Sequence, residues 1–62
     1  MTMPQYTLKD RFGTTREIFH SDQDPKDEEG VIALLRRRAR DHGLKNARLE
    51  VKTSRGWQKF RA

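Results

Sequence analysis

Residues 24–43, DPKDEEGVIALLRRRARDHG, decide how the rest of the chain is read. The segment has the marks of one helix. Asp24 is a suitable N-cap, and Pro25 falls at the first helical position, where a missing N–H costs nothing. Gly43 can adopt the left-handed conformation that closes a helix, with Leu44 folding back on the last turn. Between these ends, Val31, Ile32, Leu35 and Ala39 recur on one helical face, with Leu34 at its edge. Arg36, Arg37 and Arg40 fall on the other side. Gly30 weakens such a helix by roughly 1 kcal/mol relative to Ala. It marks either a start nearer residue 28 or a place where the helix crosses a sheet closely.

Outward from the helix, both flanks carry strand patterns. On the N-terminal side, QYTLK (residues 5–9) alternates Tyr6 and Leu8 with Thr7 and Lys9. Asp10-Arg11-Phe12-Gly13 then has the chemistry of a type I turn, and TTREIFH (residues 14–20) resumes a β-prone run. So short a loop allows only an antiparallel hairpin. The parity of its second strand is ambiguous: Ile18 goes with Arg16 and His20, Phe19 with Glu17. On the C-terminal side, Ala47, Leu49 and Val51 alternate with Arg48, Glu50 and Lys52. Thr53-Ser54-Arg55-Gly56 is a second turn, and WQKFR (residues 57–61) a last strand. The expected architecture is α+β, ordered β-β-α-β-β, with about four mostly antiparallel strands and one helix packed on one face of the sheet. Residues 1–62 make a single small domain, with residues 1–4 frayed.

The totals agree with this reading. A hydrophobic fraction of 32% against a charged fraction of 37% raises the question of disorder. The periodic placement of the apolar residues, five aromatics among them, answers it. There is no cysteine, no apolar leader and no stretch of membrane-spanning length, so a reducing cytoplasm is the expected compartment and no membrane partner is expected. The net charge of +5 is unevenly spread: residues 17–29 hold six acids against Lys26, and residues 30–62 hold ten Lys/Arg against two acids. A basic half of this kind suits an anionic partner, nucleic acid above all. The plainer reading is a solvated surface arranged to suit the helix dipole, acids at its start and arginines toward its end.

The second turn decides which surface is offered to a partner. A two- or four-residue loop puts Phe60 on the face of Leu49 and Val51 and sends Trp57 to the far face. A three-residue loop with a bulged glycine does the reverse and drives Lys59 inward, which is costly without a partner. Phe60 inward and Trp57 outward is therefore the favoured register. Trp57 then stands among Arg48, Glu50, Lys52 and Lys59, with Lys9 or Arg11 as a further neighbour, on a sheet face with no helix over it. Such a face can stack a base on the indole and hold phosphates with the cations. Alternatively the indole only shields its own strands and the stems of Lys52 and Lys59.

A second basic feature is the ridge of Arg36 and Arg40, one helical turn apart, with Arg37 beside it and Arg38 at the apolar border. It can meet phosphates or an acidic protein surface, or be a solvated face paired with Glu29 and Asp41. The acids at residues 22–29 lack the glycine and distant Glu of a calcium loop, and read as capping and dipole complementarity. His42, in the last turn, is placed to cap carbonyls. Adjacent His20, Ser21 and Asp22 diverge and cannot make a triad. The pattern thus points to no catalytic set, cofactor or metal. It leaves two kinds of function: a nucleic-acid-binding module using Arg36, Arg37, Arg40, Arg48, Lys52, Trp57 and Lys59, or a protein-binding inhibitor or adaptor presenting the same residues to an acidic protein surface. In topology alone, without a shared motif, the chain resembles the very small β-β-α-β-β proteins with which bacteriophages block host complexes such as RNA polymerase or CRISPR effectors.

Overall fold

The computed structural model describes residues 3–61. The element order is β1 (Gln5–Lys9), β2 (Thr15–His20), α1 (Glu28–Asp41), β3 (Arg48–Thr53) and β4 (Gly56–Arg61). The four strands form one antiparallel sheet in the order β2-β1-β3-β4, with the helix on one face. Of the expected loose N-terminus, Met1 and Thr2 lie outside the described residues. Pro4 is not loose: its carbonyl accepts from the Ser21 N–H at 3.2 Å, extending the first hairpin.

The hairpins follow their turn residues. Gly13 donates to the Asp10 carbonyl at 3.0 Å, and Asp10 Oδ1 accepts from the Phe12 and Thr14 N–H groups, both at 2.9 Å. A register shift between Leu8 and Lys9 leaves Arg16 as the extra residue of a bulge. Beyond the bulge Tyr6 pairs with Phe19, and their rings stack with centroids 5.7 Å apart. That pairing resolves the ambiguous parity. Phe19 turns under the helix at 9% exposure, and Ile18 faces out at 58%. The second hairpin has a two-residue loop, with Thr53 opposite Gly56 and Leu49 opposite Phe60. Phe60 is inward and Trp57 outward, as the desolvation cost of Lys59 requires.

The helix begins at Glu28, the later of the two starts the sequence offers and the one Gly30 pointed to. Asp27, not Asp24, is the N-cap: its Oδ1 accepts from the Gly30 N–H at 3.2 Å. Asp24 instead closes a turn, accepting from Lys26 N at 2.9 Å on its side chain and from Asp27 N at 3.0 Å on its carbonyl. Both are Asx-type arrangements, and the nearer one to the apolar run prevails. Gly30 sits where a Cβ would meet the Gln23 side chain at 2.4 Å. Gly30 thus lies in the first turn of a helix that starts at Glu28, and what crowds it is the preceding loop rather than the sheet. At the other end Gly43 takes φ +66°, the Gly43 N–H bonds to Arg40 O at 3.0 Å and the Leu44 N–H to Ala39 O at 2.8 Å. These are the two bonds of a Schellman cap.

Val31, Leu35 and Ala39 bury the helix against Tyr6, Leu8, Phe19, Leu49 and Val51, with Ile32, Leu34, Leu44 and Phe60 at the margin. Tyr6 is fully buried and its hydroxyl donates to the Gln23 carbonyl at 2.6 Å, tying the acidic connection to the sheet. Burial, and then the Asp24 carboxylate, push this phenol above its ordinary value near 10. Glu17 also points to the covered face. It accepts from Arg38 Nη1 at 3.1 Å and from His42 Nε2 at 3.0 Å, and the Arg38 guanidinium lies 4.2 Å from the Phe19 ring centroid. His42 therefore uses its ring to hold β2, not to cap carbonyls. No helix among the described residues is long and apolar enough to cross a membrane.

Candidate functional site

The sheet face opposite the helix is uncovered, and register alone sets what it displays. Side chains alternate across a strand, so every residue paired with an open-face residue is itself on the open face. Three cross-strand rows result. Thr15, Lys9, Arg48 and Arg61 form the first, the three cations on adjacent strands. Ile18, Thr7, Glu50 and Lys59 form the second and cross the whole sheet. Lys52 and Trp57 form the third, with the Gln5 and His20 pair at the same end of the sheet.

Charge on this face is strongly one-sided. Lys9, Arg48, Lys52, Lys59 and Arg61 are set against Glu50 alone among the described strand residues. Lys9 pairs with Glu50 at 3.3 Å, whereas Arg48, Lys52, Lys59 and Arg61 have no ion pair among the described residues. Arg48 stands directly between two like charges, Lys9 and Arg61. Like charges opposite one another destabilise a sheet, a cost that the Lys9–Glu50 pair relieves in part and that Arg48 against Arg61 keeps.

Trp57 is 54% exposed and lines two shallow, open depressions. On one side its neighbours are Pro4, Pro25 and Thr53. On the other they are Thr7, Ile18, Glu50 and Lys59, the middle of the open face. The self-coverage reading of Trp57 is thus only half met, because about half of the residue stays in solvent.

The arginine ridge is elsewhere. Arg36, Arg37 and Arg40 are exposed on the helix, whose buried residues Val31, Leu35 and Ala39 face the sheet. The helix and sheet core therefore lie between this ridge and Trp57, and the structure does not bring the two basic features together. Nor do Glu29 and Asp41 form ion pairs with these arginines among the described residues. Of the residues anticipated for binding, Arg48, Lys52, Trp57 and Lys59 share one surface. Lys9, Arg61, Thr7 and Ile18 join them there. Lys9 is one of the two neighbours, with Arg11, that the sequence offers for Trp57, and parity could have flagged Arg61. Ile18 was hidden by the bulge at Arg16, which carries no sequence signal of its own.

No family model, curated protein or solved structure matches the chain. The chemistry of the open face must therefore carry the functional reading.

Proposed function

We propose that this is a small non-enzymatic binding protein that holds single-stranded nucleic acid on its open sheet face. The observation that carries the reading is the row Lys9, Arg48 and Arg61 on the same face as the half-exposed Trp57. Three cations in line, kept against their mutual repulsion, suit a chain of phosphates. An exposed indole on the same face, with the Glu50 and Lys59 row between, suits a base, since every base offers a π-face. The face is a sheet without a projecting helix or ribbon to enter a major groove, which favours an unpaired strand over a duplex. Arg36, Arg37 and Arg40 are left outside this site. They remain free for solvent or for a second contact.

Tryptophan fluorescence reports the interaction directly, because Trp57 is the only tryptophan. Titration with single-stranded DNA or RNA should change the emission, with log affinity falling linearly as log salt rises and a slope matching about 3–5 phosphates. Trp57→Ala, followed by a label on the oligonucleotide, should weaken binding by about 1–3 kcal/mol. If no complex forms at low salt, the reading is wrong. One observation then favours a protein-binding inhibitor or adaptor: Ile18 and Trp57, both more than half exposed, share the face with the cations. On an acidic protein surface these two would serve as anchors, and Trp57→Ala would act chiefly by speeding dissociation.

A further inference from the structure

The central row of the open face contains a residue that phosphate binding does not explain. Glu50 is the one carboxylate in the middle of a surface built, among the described residues, from cations, threonines, Gln5 and apolar groups. A phosphate placed over it would be repelled, so the backbone of a bound strand must run to one side, along the cations. What passes over Glu50 is then a base. Its side chain is held rather than loose: it is only 14% exposed, and Lys9 grips Oε2 at 3.3 Å. Lys59 lies directly opposite it on β4. A carboxylate only accepts, and it keeps lone pairs for a ligand beyond the one Lys9 engages. Trp57 borders the same depression as Glu50 and is its diagonal neighbour across β3 and β4, a separation of roughly 7–8 Å that a long or aromatic side chain spans.

We infer that Glu50 reads the edge of the base stacked on Trp57 and selects guanine. The inference rests on the single-strand reading above and adds a sequence preference to it. Two adjacent N–H donors, N1–H and the N2 amino group, are what a carboxylate accepts best, in the manner of an arginine–carboxylate fork. Guanine alone among the four bases offers that pair on its Watson–Crick edge. Adenine and cytosine each offer one amino group beside a ring nitrogen that repels the carboxylate. Thymine and uracil offer one N–H between two carbonyl oxygens. Glu50 is one acid among five cations of this face, so phosphates are still attracted along the cations while a base covers the acid.

The test separates base reading from stacking. Thymidine oligomers of about eight nucleotides, each with one central guanine, hypoxanthine, adenine or thymine, are titrated against the native protein at fixed salt. Guanine and hypoxanthine stack alike and differ only in the N2 amino group. The guanine oligomer should bind tightest, by about tenfold over hypoxanthine, within the range of a good bidentate contact. In Glu50→Gln, whose amide can accept one of the two donors but repels the other, this gap should shrink to about twofold or less, with circular dichroism showing the fold retained. Equal affinity for guanine and hypoxanthine in the native protein overturns the inference, and so does a preference that survives Glu50→Gln. If all four oligomers bind equally and change Trp57 emission, the guanine inference alone fails. If none binds at low salt, the single-strand reading fails with it.

Discussion

The two faces of the sheet are made from alternate residues of the same strands, and each carries intruders of the opposite character. On the covered face the intruder is polar. Glu17 lies at the margin of the core and is answered twice, by Arg38 and by His42 from the last turns of the helix. On the open face the intruders are apolar. Ile18 and Trp57 are more than half exposed, with no element of the chain over them. The difference separates two uses of the same residues. Where the chain matches an unfavourable residue with partners of its own, the residue serves the fold. Where it does not, the residue stays in solvent. Glu50 belongs with Glu17 in being matched by a cation, but it keeps acceptor capacity on a surface that solvent and ligands can reach.

The largest effect should come from breaking the covered face. Leu35 is fully buried, and Leu35→Ala should cost about 2–4 kcal/mol in urea melts, a large part of what so small a core can supply. Ile18→Thr, on the open face of the same sheet, should change stability by less than about 0.5 kcal/mol. Similar losses at the two positions would mean that the faces do not differ as described.

Next in size is the cap. Asp27→Ala should lower stability by about 1 kcal/mol, measured as the shift in the thermal midpoint, and Asp24→Ala by less. The opposite ranking would return the start of the helix to Asp24.

Tyr6→Phe sharpens the comparison chemically, because it removes one hydroxyl from the covered face. The lost hydrogen bond to Gln23 should cost about 0.5–1.5 kcal/mol. The variant should also change the alkaline limb of stability. In the folded protein the phenol holds its proton to a higher pH than in the unfolded chain, so its contribution is complete below about pH 10 and declines as pH rises through the folded-state value. Urea midpoints taken from pH 7 to 11 should fall more steeply for the native protein than for Tyr6→Phe. Parallel curves would show that burial does not perturb this group.

The smallest expected effect is none at all. Arg36 and Arg40 lie across the core from Trp57. Replacing both by alanine should leave the salt slope of nucleic-acid binding unchanged. A fall of about 2 units would show a ligand reaching around the molecule to the helix.

Much of the molecule was legible before any coordinates. The helix with its apolar stripe, both turns, the closing glycine at Gly43, the β-β-α-β-β order and the outward Trp57 all follow from local periodicity, turn chemistry and the cost of burying Lys59. The N-cap was misplaced because Asp24 and Asp27 both satisfy the local rule, and only packing of the first buried residue, Val31, against the sheet chooses between them. Ile18 and Phe19 were equally good candidates for the core. The choice was made at long range, by the pairing of Phe19 with Tyr6 and by Arg38 laid over the Phe19 ring.

The candidate site divides the same way. By itself the sequence determined which residues could bind an anionic partner, because charge and aromaticity belong to the residues themselves. Which of them share a surface was decided only by the tertiary structure. Strand order sets Lys9 beside Arg48 and Arg48 beside Arg61, although β1 and β3 are separated in the chain by a strand and a helix. The helix, by covering one face, puts Arg36, Arg37 and Arg40 on the far side of the core from Trp57. Neighbourhood across a sheet depends on which strands pair and in what register, and those are properties of the whole packed chain.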